Sequence, residues 1–198
     1  MQKNHETELP AGYRAAFTID AKNKKTGIIL NLISIVVMLL IGGAAWLLIR
    51  PEDFFENYSL VRNLLFLAAM LAYVVLHELV HGAAYKLLTK RKLTFGLTLT
   101  VAFCGVPDVY VYRRASLIAV LAPFVVFTLV FGAAAFLLPN AWDKFYAALL
   151  LAVHVGGCTG DLWNTLLYLT RFRDPRTLTR DTGPLQSFYV PEAQDKGI

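Results

Sequence analysis

Two histidines four residues apart with a glutamate between them, His77-Glu78-Leu79-Val80-His81, are the side chains best suited to chemistry in this chain. On a helix, positions i and i+4 share one face, so both imidazoles can hold the same divalent ion. Glu78 follows the first of them, where a carboxylate can take a proton from a water that the ion activates. The plainer alternative is a pair of interfacial histidines with a snorkelling glutamate. Three ionisable groups within one turn of an apolar helix are expensive, and that expense argues for a purpose.

The motif lies in an apolar run, Leu64 to Leu88. The 198 residues are 57% hydrophobic, with a mean hydropathy of +0.52. That is too apolar for an ordinary soluble domain, and the apolar residues come in blocks. The formal net charge is +5. Lys and Arg gather at the ends of the apolar blocks, which is a positive-inside pattern and not a nucleic-acid patch. No nucleic-acid partner is therefore expected. Cys104 and Cys158 lie in different elements and read as free thiols.

The fold class this predicts is membrane α-helical, with about four transmembrane helices at 27–49, 60–88, 115–138 and 145–170. Each is long enough, at ~1.5 Å per residue, to cross a ~30 Å hydrocarbon core. Residues 1–26 form an uncleaved polar segment with a short strand over Ala16 to Ile19. Residues 171–198 form a polar tail, expected to be irregular because of Pro175, Pro184 and Pro191. The basic flanks put both termini in the cytoplasm of a multi-pass cell-membrane protein, and Glu52, Asp53 and Glu56 on an outer loop. One membrane domain, 27–170, accounts for the rest.

Between the second and third spans, residues 93–112 break the helical pattern. Phe95, Leu97, Leu99 and Val101 alternate with Thr94, Gly96, Thr98 and Thr100, a period of two. Cys104 to Asp108 reads as a turn and Val109 to Tyr112 as the return strand of a cytoplasmic-side β-hairpin. The hairpin either caps the bundle or offers an edge to an extended peptide. Pro123 predicts a kink in the third span, which packing alone can explain.

A catalytic zinc takes three protein ligands and a water, so the two histidines need a partner. Apart from Glu78, Asp161 is the sole acidic residue within any predicted span. It stands ten residues before Arg171, about 15 Å along a helix. His81 and His77 stand nine and thirteen residues before Lys90. Both spans run towards their basic ends, so the three groups fall at one depth if the helices touch. The alternative role for Asp161 is a hydrogen bond between helices. His154 lies seven residues before Asp161, about 10 Å further out on the same face, beyond coordination range in a regular helix. Its roles are support behind the ligands, stabilisation of a transition state, or helix packing. Asn164 can orient Asp161 or bond a substrate backbone. Gly156, Gly157 and Gly160 either admit the His77 helix closely or open their own helix.

These residues resemble a known group. A helix-borne HELVH, a following hairpin and a later Asp are similar to the site-2-protease-like intramembrane zinc metalloproteases. The layout resembles more closely a bacterial family of small membrane zincin peptidases, through Leu9-Pro10-Ala11-Gly12-Tyr13, His77 to Gly82, Leu121-Ala122-Pro123-Phe124 and Gly160 to Asn164. The resemblance implies one Zn2+ held by His77, His81 and Asp161, with Glu78 as general base. It implies hydrolysis of a peptide bond in a membrane protein or peptide, in or near the bilayer. Site-2 proteases carry their Asp in an NPDG- or LDG-type motif, whereas here it follows Gly160 and precedes Leu162. The competing reading is a non-enzymatic membrane protein that binds or transports a metal.

Overall fold

The computed structural model describes residues 3–20, 23–51, 59–97 and 102–192. The predicted outer loop with Glu52, Asp53 and Glu56, and the end of the predicted strand at 98–101, lie outside these residues. Strands β1 (His5–Glu6) and β2 (Tyr13–Asp20) precede helix α1 (Lys24–Ile49). Helix α2 (Leu60–Thr89) leads to strands β3 (Thr94–Leu97), β4 (Ala102–Gly105) and β5 (Tyr110–Tyr112). Helices α3 (Arg113–Leu137), α4 (Ala141–Gly157) and α5 (Thr159–Thr170) follow, then strands β6 (Leu178–Asp181) and β7 (Leu185–Pro191).

Helices α1, α2 and α3 are long and apolar enough to cross a membrane. The predicted fourth span is not one rod. It is α4 and α5, bent by 49° at Cys158, and together they pass the same test. Side chains close most of the helix starts. Asn23 accepts from Lys25 N–H and Thr26 N–H, Ser59 from Arg62 N–H, and Asn140 from Trp142 N–H and Asp143 N–H. Helix α3 packs on α2 and α4, and α4 packs on α1. Much of the outer surface is aliphatic: Leu39 and Leu40 on α1 are each 69% exposed. A bilayer would cover this surface; water would not.

The tail predicted as irregular is instead two strands, and they complete a five-stranded sheet ordered β1-β5-β6-β7-β2. Every pair in it is antiparallel. Arg14 pairs with Val190, so the two ends of the chain meet. Strand β2 feeds the start of α1, β5 feeds the start of α3, and β6 follows α5. The sheet therefore gathers at one end of the bundle. Leu167, Tyr168, Phe172 and Phe188 form its core against α5, with the Phe172 and Phe188 rings stacked at 4.5 Å. Arg113 donates to the carbonyls of Tyr168 and Phe172, which ties the start of α3 to the end of α5.

A hairpin does follow α2, but its strands differ from those predicted. Strand β3 pairs with β4, Phe95 opposite Cys104, while β5 pairs with β1 and β6 in the larger sheet. The physical reason is Gly105. It reads as a turn residue, yet a Cβ there would run into the backbone of Thr182 and Gly183. The glycine lets β4 lie against the β6–β7 turn, where Val106 N–H donates to Asp181 O at 2.8 Å. Gly105→Ala is expected to push the hairpin off the sheet and cost roughly 1–3 kcal/mol, as overpacking does. The check is the thermal unfolding midpoint in detergent, and an unchanged midpoint would refute the close-approach account.

Candidate metal centre

One stripe of α2 carries Tyr73, His77, His81, Tyr85 and Thr89, every fourth residue, and all five are buried. The stripe faces the bundle interior, while Leu71, Val75, Leu76 and Leu79 face outward. Asp161 comes from a different kind of position. The bend at Cys158 ends α4 and starts α5, and Asp161 sits in the first turn of the new helix. Unpaired backbone N–H groups there favour a carboxylate. Thr159 Oγ1 donates to Gly156 O at 2.6 Å, closing one carbonyl that the bend releases.

Asp161 Oδ2 lies 3.2 Å from His77 Nε2 and 3.3 Å from His81 Nε2. The three candidate ligands thus meet, with ligand atoms all within 4.8 Å of one another. Both imidazoles are oriented from behind. His81 Nδ1–H donates to Ala119 O at 2.9 Å. For His77 the direction follows from a chain of contacts. His154 Nε2 lies 3.2 Å from Phe124 O, which only accepts, so this nitrogen carries the proton. His154 Nδ1 then accepts from the Tyr73 hydroxyl at 2.9 Å. The Tyr73 oxygen in turn accepts from His77 Nδ1–H at 3.1 Å. Both ligand candidates therefore point an Nε2 lone pair at one carboxylate oxygen. Two lone pairs and an anion at that spacing need a proton or a cation among them, and two imidazoles with a carboxylate suit zinc.

His154 is fully buried, with both ring nitrogens bonded away from Asp161. It touches Tyr73, and Tyr73 touches His77. His77, His154 and Cys158 also bring two nitrogens and a sulfur within 4.8 Å. The Tyr73 hydroxyl bonds both of those histidines, so that trio is already bridged. Tyr73 was not singled out by sequence reasoning. The signal was available, since it stands four residues before His77 on the same face. Tyr73→Phe is expected to leave the fold intact and weaken zinc binding roughly 10- to 100-fold, the usual cost of losing a group that orients a ligand. Competition with a chelator measures this, and equal affinities would remove the relay from consideration.

A cavity of ≈ 500 Å³ opens beside the three groups, with Glu78 on its wall. Strand β4 lines the same cavity through Ala102, Phe103 and Cys104, and Phe95 of β3 packs on Gly82, so the hairpin lies over the HELVH turn. Asn164 Oδ1 and Gln186 Oε1 are buried on the cavity wall with no hydrogen-bond partner among the described residues. Asp181, on the sheet side, accepts from the Tyr85 hydroxyl at 2.8 Å, and burial pushes its carboxyl up to about 6. Of the three glycines around the α4–α5 bend, Gly156 packs on Ser34 and Met38 of α1 and not on the His77 helix. A Cβ added at Gly157 would lie 3.7 Å from the Tyr73 hydroxyl, and one at Gly160 would face open space.

Neither the curated proteins nor the solved structures include a match to this chain. A family profile does match. Its family is described as "Putative zincin peptidase", and the match covers residues 70–174, more than half the chain. That stretch begins just before Tyr73 and ends just beyond α5, and it contains all four ionisable groups of the site. Zincins are zinc peptidases, which agrees with a donor set of two imidazoles and one carboxylate. This chain therefore belongs to the zincin peptidase family so described.

Proposed function

We propose that this chain is an intramembrane zinc metalloprotease that hydrolyses a peptide bond in or near the bilayer. The observation that carries this reading is the meeting of His77 Nε2, His81 Nε2 and Asp161 Oδ2 beside a cavity that Glu78 also lines. In this reading His77, His81 and Asp161 hold one zinc ion. When bound, zinc supplies Lewis acidity, which makes water a nucleophile near neutral pH and polarises a carbonyl. Glu78 takes the proton from the attacking water, and its carboxyl then gives that proton to the leaving amine.

Strand β4 lines the cavity through Ala102, Phe103 and Cys104, and an extended substrate lying along it gains strand-type hydrogen bonds for a backbone that has left its helix. Asn164 and Gln186 offer two buried acceptors for substrate N–H groups. His154 acts through Tyr73 on His77. The basic helix ends, Lys24, Lys25, Lys90, Arg91, Arg113 and Arg171, share the sheet's end of the bundle, which supports the reading of a multi-pass cell-membrane protein with both termini in the cytoplasm. The helix-borne motif and later Asp also carry the likeness to site-2-protease-like enzymes. The polar groups cluster at one level, which favours a closed site over a transport path.

The test is metal content and turnover together. Protein purified without chelator should hold about one zinc per chain and cleave labelled transmembrane reporter peptides in liposomes. Zinc flux across the vesicle wall without cleavage would favour the transporter instead.

A further inference from the structure

Pro123 lies inside α3, fully buried and turned towards the bundle interior with Ala119 and Phe127. A proline there has no N–H, and in an α-helix that N–H would bond the carbonyl four residues earlier. That carbonyl is Ala119 O, the atom that receives His81 Nδ1–H at 2.9 Å. The proline ring also crowds the same carbonyl and tilts it away from the helix axis. The vacancy in one helix thus matches the donor on the next.

We infer that Pro123 is a positioning residue for the metal centre: by withholding its N–H it frees Ala119 O to fix His81 with the Nε2 lone pair towards Asp161. This rests on the proposed zinc site and adds a cause for its geometry. An unbonded carbonyl deep in an apolar bundle is unfavourable, and so is a buried imidazole N–H without an acceptor. Each satisfies the other. The proline inside this span therefore has a chemical purpose beyond packing. The ring orientation of His81 is set from α3, as that of His77 is set from α3 through Phe124 O, His154 and Tyr73.

The decisive variant is Pro123→Ala. Alanine restores the N–H at 123 and returns Ala119 O to its own helix. A purely structural role for Pro123 would make stability and zinc affinity move together. The inference requires them to part: the metal-free variant unfolds at the same or a higher temperature, since alanine favours helix, while zinc affinity by chelator competition falls roughly 10- to 100-fold. Imidazole 15N NMR gives an independent reading on metal-free protein. His81 should carry its proton on Nδ1 in the wild type and lose that preference in the variant. Wild type that binds zinc, beside a Pro123→Ala protein that binds it equally well, overturns the inference and leaves the protease reading standing. Wild type that binds no zinc overturns the protease reading, and the NMR comparison then decides the Pro123 inference alone. Should Pro123→Ala fail to fold, an Nε2–H tautomer of His81 in metal-free wild type overturns it.

Discussion

Replacing Glu78 with Gln should leave zinc bound and lower peptide hydrolysis by about 10²- to 10⁴-fold, the usual contribution of a positioned general base. The substitution is close to isosteric. The glutamine fills the same space, so the side chain keeps its place on the cavity wall. Glu78 is not one of the three groups that converge, so the metal donors are untouched. What the amide cannot do is take a proton from water and return it to an amine. The loss should therefore appear in kcat, with reporter binding and zinc stoichiometry close to wild type. A variant that cleaves as fast as wild type would mean that another group is the base, and the mechanism proposed for this site would be wrong.

The candidate site was legible because its residues are local and expensive. His77, Glu78 and His81 lie within one turn, and an apolar run around ionisable residues marks them out. Asp161 was reachable by elimination and by depth, since helix rise converts residue counts into height. The same arithmetic treated the fourth span as a straight rod. The bend at Cys158 gives Asp161 a helix N-terminus, a gain that residue counts do not reveal. Pro123 was visible as a kink, but its relation to His81 needs two helices side by side. The sheet was the least legible part. Arg14 meets Val190, and Val111 meets both His5 and Thr179. Pairings of that sequence separation leave no local period. Three prolines in the tail argued for irregular chain, yet Pro191 is the last residue of β7, beyond its pairing with β6, and Pro184 sits in the turn before it. Gly105 misled for the same reason: its close neighbour, Gly183, is far away in sequence.

Asp161→Asn separates the zinc reading from its rivals with the largest effect on binding. The amide keeps the shape of the carboxyl, so α5 should form and pack as before. It removes the negative charge that faces both Nε2 atoms at 3.2 and 3.3 Å. A neutral amide oxygen is a poor third donor beside two imidazoles. Zinc affinity should fall by more than the roughly 10- to 100-fold expected when an orienting partner such as Tyr73 is removed, and hydrolysis should disappear with the metal. Glu78→Gln and Asp161→Asn then give opposite patterns, one holding zinc without turnover and the other holding neither. If Asp161→Asn binds zinc as tightly as wild type, the carboxylate serves only as a hydrogen-bonding link between α2 and α5. The ion would then have to be held by His77 with His154 and Cys158, which requires the Tyr73 hydroxyl to leave its place between the two rings. Adding Cys158→Ser to Asp161→Asn would then abolish binding, whereas Cys158→Ser alone should not alter a centre built on Asp161.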